Sequence, residues 1–529
     1  MPGTYVIGCV KNYDWGKLAP ESAAALSLPK DLVKEDSRVA EVWYGTHKSS
    51  PSFASSSLTS VLRGKLLLES SDKEFKQDHL LSSKLLEIGC PPKLPYLVKI
   101  LSVARPLSLQ VHPNSFFAKE LYGDYSDIFP DSKSKPECVY SLTDFYSLTG
   151  WKTNDQMMKM LGLDDQLTNI FVKHLGKRFI DVIQREYPAE LDAMFNDNSE
   201  DEEEKATDGE KHEESREEED SSEKHTESLS FMFPEPSSLS FSKVMNDVSF
   251  ELASLLLPLD DDEIQPLMSD IIDYCAKINL IPEELVKESL ISKSSLASLF
   301  SAGGRFVPFP PTSPMTSVTC LLSLFVTLFS LHPNDPACLS PFFLQYRHLP
   351  PFTPLFLAPL TPHLHVYGDV CECMKTSDNV VRGGCTKKWV DMQLFLEMCE
   401  TTIRRGEKEE EEEDIDEEGG RMMVETKNGW TTNAIYFEGS DMMCYFIKKS
   451  KPLSSEKIAS IGEIICDLPS PCDLQGPIMV LSPHAHKICG ISGCSCQEMG
   501  ECIVCRDFDD VKDMNCEEED VFMVVALLT

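Results

Sequence analysis

The 529-residue sequence is poor in basic side chains: Lys and Arg number 49 against 86 Asp and Glu, a formal net charge of -37. A chain this acidic repels phosphate backbones and anionic lipid heads, which excludes nucleic-acid or membrane-surface binding as its main activity. Long apolar runs are missing too. The longest, VTCLLSLFVTLFSL (Val318 to Leu331), falls short of the roughly 20 residues needed to span a bilayer and is read as one or two buried strands. The opening MPGTYVIGCVKNYDWGK has no basic stretch leading into an apolar one. No secretory leader is therefore expected, and the 19 cysteines are expected as reduced thiols in the cytoplasm.

The acidity is concentrated. Residues Asp197 to Glu227 hold sixteen acidic side chains against four basic ones, and Glu407 to Glu418 hold ten against one. Both tracts repel themselves and have almost nothing to bury, so they are read as disordered insertions or linkers. What remains is a mildly acidic globular chain, long enough for two to four domains.

Residues 1–153 alternate short apolar runs with Gly, Pro, Ser and Asp clusters, the pattern of strands and turns. Over 154–304 the spacing lengthens to that of amphipathic helices with Asp and Asn starts, interrupted by the acidic tract 197–227. Strand-like runs resume in 305–400, where 332–354 is a Pro-rich, irregular insert. An acidic linker at 401–427 leads to further alternating runs at 428–529, read as a second all-β domain. The expected fold is mainly β with an inserted helical domain.

Chemically dense residues fall on three β-type stretches. In PLSLQVHPN, alternation puts Leu107, Leu109 and Val111 on one face and Ser108, Gln110 and His112 on the other. SKSKPECVYSL brings Lys135 and Glu137 to the head of an apolar strand. TPHLHVYGDVCECMKTSDNVVRGG carries His363, His365, Glu372, Asp378 and Arg382. Each has a bland reading alone, since a single strand histidine is more often hydrogen-bonded than metal-bound, and Arg382 could simply pair with Asp378. Together they offer nitrogen and oxygen donors from well-separated segments, a set suited to Zn²⁺ and also to Fe or Mn in a β-barrel pocket.

The motifs NYDWGK, AEVWYGTH, LPYLVKILSV, PLSLQVHPN, KPE, GDVCECM and TSDNVVRGG make the chain resemble the type I mannose-6-phosphate isomerases (phosphomannose isomerases). These motifs cover most of residues 5–152 and 355–400. The resemblance implies two cupin-like (jelly-roll) β-barrel domains beside the helical one. It also implies one Zn²⁺ per subunit on Gln110, His112, Glu137 and His363. Arg382, Lys135, Glu372 and Asp378 become the catalytic candidates, and Ser108, Lys135 and Arg382 the substrate-binding ones. His365 stands where the family carries tyrosine, and Ser134 where bacterial members carry histidine. Between His363 and His365, the position directly after Pro362 favours His363 as the ligand.

The implied activity is interconversion of mannose 6-phosphate and fructose 6-phosphate through an enediol, feeding GDP-mannose synthesis. Moving a proton between C1 and C2 needs a tuned base, an electrophile near the oxygens and an anchor for phosphate. A guanidinium such as Arg382 matches oxyanions bidentately, and a dication beside Lys135 would loosen its proton. The expected partner is a small sugar phosphate, with no nucleic acid or membrane, and the expected state is a monomer. Two other readings remain open: an inactive cupin-fold homologue acting as a binding or scaffold protein, and another metal cupin enzyme such as a dioxygenase. KPE and SDNVVR argue against the last.

A second cluster lies near the end, with His484, His486, Cys489, Cys494, Cys496, Cys502 and Cys505. The CxC and CxxC spacings invite a structural zinc site. Strand-like alternation in ECIVCRDF favours a barrel rim with cysteines as small apolar fillers.

Overall fold

The computed structural model describes residues 4–28, 33–55, 78–162, 164–186, 247–281, 317–405, 420–427, 430–437, 442–449, 459–460, 474–482, 488–489, 501–506, 515–516 and 521–528. Both acidic tracts lie outside these residues. So does most of the C-terminal Cys/His cluster, of which Cys502 is a buried side chain.

Two antiparallel sheets dominate. One has ten strands and is centred on Tyr96–Val103, which hydrogen-bonds to Glu41–Tyr44 on one side and to the thirteen-residue strand His363–Lys375 on the other. The run YLVKILSV is buried at every position because both of its faces are covered. Val98 and Ile100 join Val42, Tyr44, Cys138, Tyr140, Cys371 and Cys373 on one face, packed against Ile435, Phe437, Cys444, Phe446 and Met479 of the second sheet. The Tyr140 and Phe446 rings stack there with centroids 4.4 Å apart. The other face carries Glu41, Lys99, Glu372 and Glu137, which cross-strand register places on the same side.

The second sheet has eight strands. Six come from the C-terminal region and two from the N-terminal one, with Thr4–Ile7 lying between Glu501–Cys505 and Phe53–Ser55. The beginning and end of the chain thus share one sheet.

Helices cover the far side of the strands Leu109–Val111 and Val381–Gly384. Leu109, Val111, Leu364 and Val381 pack into one core with the helices Asn154–Gly162, Asp165–Leu175, Lys177–Glu186, Asp247–Leu256 and Asp261–Lys277. Aspartates start two of these helices, Asp164 accepting from the Leu167 amide and Asp260 from those of Asp262 and Glu263. Leu107 departs from the expected alternation, packing instead with Leu101 and Val139.

The segment Val318–Leu331, expected as strands, is one helix. Eleven of its fourteen residues are buried, so it is apolar all round and periodicity carries no information about its type. Its leucines favour helix, and the Ser317 hydroxyl caps it by accepting from the Cys320 amide at 3.2 Å. The irregular insert expected at 332–354 is also built structure. Asp335 starts a 3₁₀ turn, Pro336–Leu339, followed by the short helix Ser340–Phe343. Leu344–Leu349 then forms an edge strand on Phe145–Trp151, and Pro354–Leu357 pairs with Glu137–Ser141. Its prolines sit at helix starts, edge strands and turns, positions that need no backbone N–H.

Candidate metal centre and active site

The strand Leu109–Val111 runs between His363–Lys375 and Val381–Gly384, with Gln110 directly opposite both His363 and Arg382. Opposed residues of an antiparallel pair share a face, so these three side chains stand in a row. His112 follows the strand's end. There Pro113 stops the ladder and Asn114 starts the helix Ser115–Asp124 by accepting from the Phe117 amide. Glu137 opens the strand Glu137–Ser141, with Leu357 on one flank and Met374 on the other.

His112, Glu137 and His363 converge, each buried, with one donor atom apiece inside a 4.8 Å group. His112 Nε2 lies 3.3 Å from Glu137 Oε1, and His363 Nε2 lies 3.7 Å from Oε2. The other ring nitrogens are tied back. His112 Nδ1 is 3.0 Å from the Asn379 carbonyl, and His363 Nδ1 is 2.9 Å from that of Thr361. A carbonyl only accepts, so each Nδ1 carries the proton and each Nε2 presents a lone pair to the centre. His112 Nε2 is buried with no hydrogen-bond partner. The Gln110 amide reaches His363 Nε2 at 3.1 Å, while Ser108 Oγ donates to Gln110 Oε1 at 3.3 Å. An orphaned buried lone pair beside a second imidazole, a carboxylate and an amide fits a zinc-type cation.

The electrostatics favour the same state. Burial holds the His112 imidazole below its ordinary range, and burial plus the neighbouring His112 pushes His363 down to about 3. Glu137 is buried, which alone would favour its acid form, but the charge of Lys135 beside it holds it well below the usual carboxylate range. Lys135 Nζ lies 3.2 Å from Glu137 Oε1. Neutral imidazoles around an ionised carboxylate are the protonation states that metal binding needs.

Glu372 reaches this face through a register change. It lies nine residues after His363, an odd separation that would place it on the opposite face of a regular strand. The long strand pairs His365 with Ser147 but Tyr367 with Tyr146, so one extra residue is inserted between His365 and Tyr367. That bulge restores parity. Glu372 Oε2 then lies 3.9 Å from His365 Nε2, while Oε1 accepts from Lys99 Nζ at 2.8 Å. Burial opposes its charge, yet Lys99 holds Glu372 well below its ordinary value. Burial likewise opposes the charge on Lys99, but Glu372, Glu41 and Glu137 raise its pKa.

The structure thus brings together Gln110, His112, Lys135, Glu137, His363, Glu372 and Arg382, with Ser108 behind Gln110. Arg382 is half-buried, and burial weakens its hold on its proton. Asp378 does not join them. It is exposed and pairs with His47 Nε2 at 3.1 Å, a hydrogen bond that lowers its pKa. Three residues escaped the sequence reading. Lys99 sits inside the apolar run YLVKILSV, where a lone Lys was itself a signal. Lys388, an exposed residue, has its proton loosened by partial burial and by the charge of Arg382. Asn379 holds His112 through its backbone, and a side-chain pattern carries no mark of that.

Two packed antiparallel sheets with convergent buried imidazole and carboxylate donors define a β-rich protein with a candidate metal centre. A family model, phosphomannose isomerase type I, catalytic domain, matches residues 5–154. The mannose-6-phosphate isomerase of Emericella nidulans is 29% identical over 395 residues, 74% of this chain and 68% of the relative. A probable mannose-6-phosphate isomerase of Echinococcus multilocularis is 28% identical over 402 residues, 74% of this chain and 71% of the relative. Among solved structures, mannose 6-phosphate isomerase from Salmonella typhimurium, bound to fructose 6-phosphate and zinc, aligns over 100% of both chains. Its TM-score is 0.53 at 16% identity, a likeness of fold. The chain is similar to the type I phosphomannose isomerases over its N-terminal 150 residues by the family model and over about three quarters of its length by these relatives.

Proposed function

We propose that this protein is a zinc-dependent aldose–ketose isomerase that interconverts mannose 6-phosphate and fructose 6-phosphate through an enediol, on two cupin-type barrels. The observation that carries this reading is the pair of His112 and His363 lone pairs aimed, with Glu137, at one buried point. His112, Glu137 and His363, with Gln110, would hold one Zn²⁺. When bound, the metal supplies a Lewis acid that polarises or orients sugar oxygens.

The chain's own residues supply the rest. Arg382 stands beside Gln110 with Lys388 close by, so two cations are available for the phosphate or for developing oxyanion charge. Glu372 is held ionised by Lys99, with its other oxygen toward His365, and is the carboxylate placed to move a proton between C1 and C2. Lys135, hydrogen-bonding distance from Glu137, can stabilise charge on the sugar oxygens. Ser108 supports Gln110, while Asp378, paired with His47, takes no part in the chemistry. A cytoplasmic monomer feeding GDP-mannose synthesis belongs to the same reading and rests on the sequence alone. Among the described residues no helix is long and apolar enough to cross a membrane.

A coupled assay from mannose 6-phosphate to fructose 6-phosphate tests it, alongside elemental analysis for zinc. Turnover should vanish on chelation and return with added Zn²⁺. Stoichiometric zinc without turnover would sink the isomerase reading and leave the inactive binding homologue.

A further inference from the structure

We propose that Asn379 is a positioning residue that sets the distance between the two halves of the metal centre. The inference rests on the metal-centre reading above. Asn379 is fully buried, in the turn between His363–Lys375 and Val381–Gly384. Its backbone carbonyl accepts from His112 Nδ1 at 3.0 Å. Its side-chain Nδ2 donates to the carbonyls of Asp131 at 2.7 Å and Lys133 at 3.1 Å, with Asp131 Oδ1 at 3.3 Å. The two loops are laced further, since Asp131 Oδ2 accepts from the Asp378 amide at 3.1 Å and Ser377 Oγ donates to the Lys133 carbonyl at 3.3 Å.

The 131–133 loop leads within four residues to Lys135 and Glu137. One residue therefore grips the His112 ring through its main chain and the Glu137 segment through its side chain. Arg382 follows three residues later on the same turn, so it takes its starting point from the same anchor.

The chemistry of the contact explains the residue type. Only acceptors face Nδ2, which requires a donor with two hydrogens. Aspartate has nearly the same shape but would turn a carboxylate oxygen toward two carbonyls and Asp131. The Asn379 side-chain oxygen, Oδ1, by contrast, is buried without a hydrogen-bond partner. Leaving such a group unpaired costs roughly 1–3 kcal/mol, so an apolar residue of similar shape would pack here at less cost. The NH₂ is what this position retains.

Zinc affinity by chelator competition, on the full chain, provides the test for Asn379→Asp and for the milder Asp131→Ala. Loss of an outer partner that orients a metal ligand typically lowers affinity about 10–100-fold. That loss is expected for Asn379→Asp, with a several-fold loss for Asp131→Ala. A residue that only supports the fold would lower the melting temperature of the metal-free protein and leave zinc affinity alone; that result overturns the inference. Should Asn379→Asp fail to fold, Asp131→Ala decides, because Asp131 is a partly exposed loop residue. Unchanged affinity there overturns the inference too. A parent protein that binds no zinc overturns the metal-centre reading and this inference together, whereas a parent that binds zinc with indifferent variants overturns this inference alone.

Discussion

Once its Nδ1–H is tied to a carbonyl, a buried imidazole has a single tautomer to offer, and His112 and His363 are both held in that way. Their roles separate from that of Arg382. Removing His363 takes away one of three converging donors, so His363→Ala should lose zinc by elemental analysis and lose turnover with it. If His363→Ala keeps its zinc and His365→Ala does not, the ligand assignment is wrong. Arg382→Ala leaves the three donors in place. It should retain stoichiometric zinc while kcat falls on the order of 10²–10³-fold, the usual effect of removing one group that stabilises developing oxyanion charge.

A second residue-scale prediction concerns pH. Lys152 is buried at the end of the strand Phe145–Trp151, with Nζ donating to the carbonyls of Pro341 and Leu344. Burial pushes its pKa down from 10.5 to about 7. Between those values the unfolded chain holds the proton and the folded chain has released it, so this group makes stability rise with pH across that window. Denaturant unfolding at pH 7 and pH 9 should show that rise in the parent and a flatter dependence in Lys152→Met. An equal dependence in both would mean that Lys152 keeps its proton on the two carbonyls.

At the scale of elements, the single-residue bulge in the long strand decides which side chains meet. It is followed by Gly368, at φ +119°, where an added Cβ would come within 2.5 Å of the Asp144 carbonyl oxygen and 2.8 Å of Phe145 Cα. Any other residue there is strained and crowded against backbone. Gly368→Val should destabilise the protein by at least about 1–3 kcal/mol in urea titrations and cut turnover by displacing Glu372, while zinc remains bound. Turnover at parental levels would show that Glu372 keeps its place without the bulge. The pattern HLHVYGDVCEC announces a strand, and its glycine invites a bulge, but alternation alone assigns Glu372 to the wrong face. Helix 318–331 misled for a related reason: a run buried on all sides has no polar face from which to read a period. The turn Pro336–Leu339 and its neighbouring strands were illegible because their prolines look alike in loops, helix starts and edge strands.

For the molecule as a whole, the donor-bearing sheet uses its two faces differently. One packs against the second sheet through Val98, Cys373, Tyr140 and Phe446, and the other holds Glu41, Lys99, Glu372 and Glu137. Phe446→Ala opens a cavity in the shared core without touching the donors. It should lower stability by about 3–5 kcal/mol in denaturant unfolding, with zinc affinity unchanged in the folded protein. A large fall in zinc affinity would show instead that the sandwich core governs the centre.

By itself the sequence determined the polar chemistry of Gln110, His112, Glu137, His363 and Arg382, the β-rich ends around a helical middle, and the apolar backing of Leu109 and Val111. Each is a local property: residue type, alternation, or periodicity within a dozen positions. Tertiary structure decided what depends on distant segments meeting. Pairing of Gln110 with both His363 and Arg382 crosses more than 250 residues, and the tautomers of the two histidines depend on carbonyls that no side-chain pattern reveals. The face of Glu372 hangs on one inserted residue, because side chains in a strand alternate with period two and a single extra residue reverses them all.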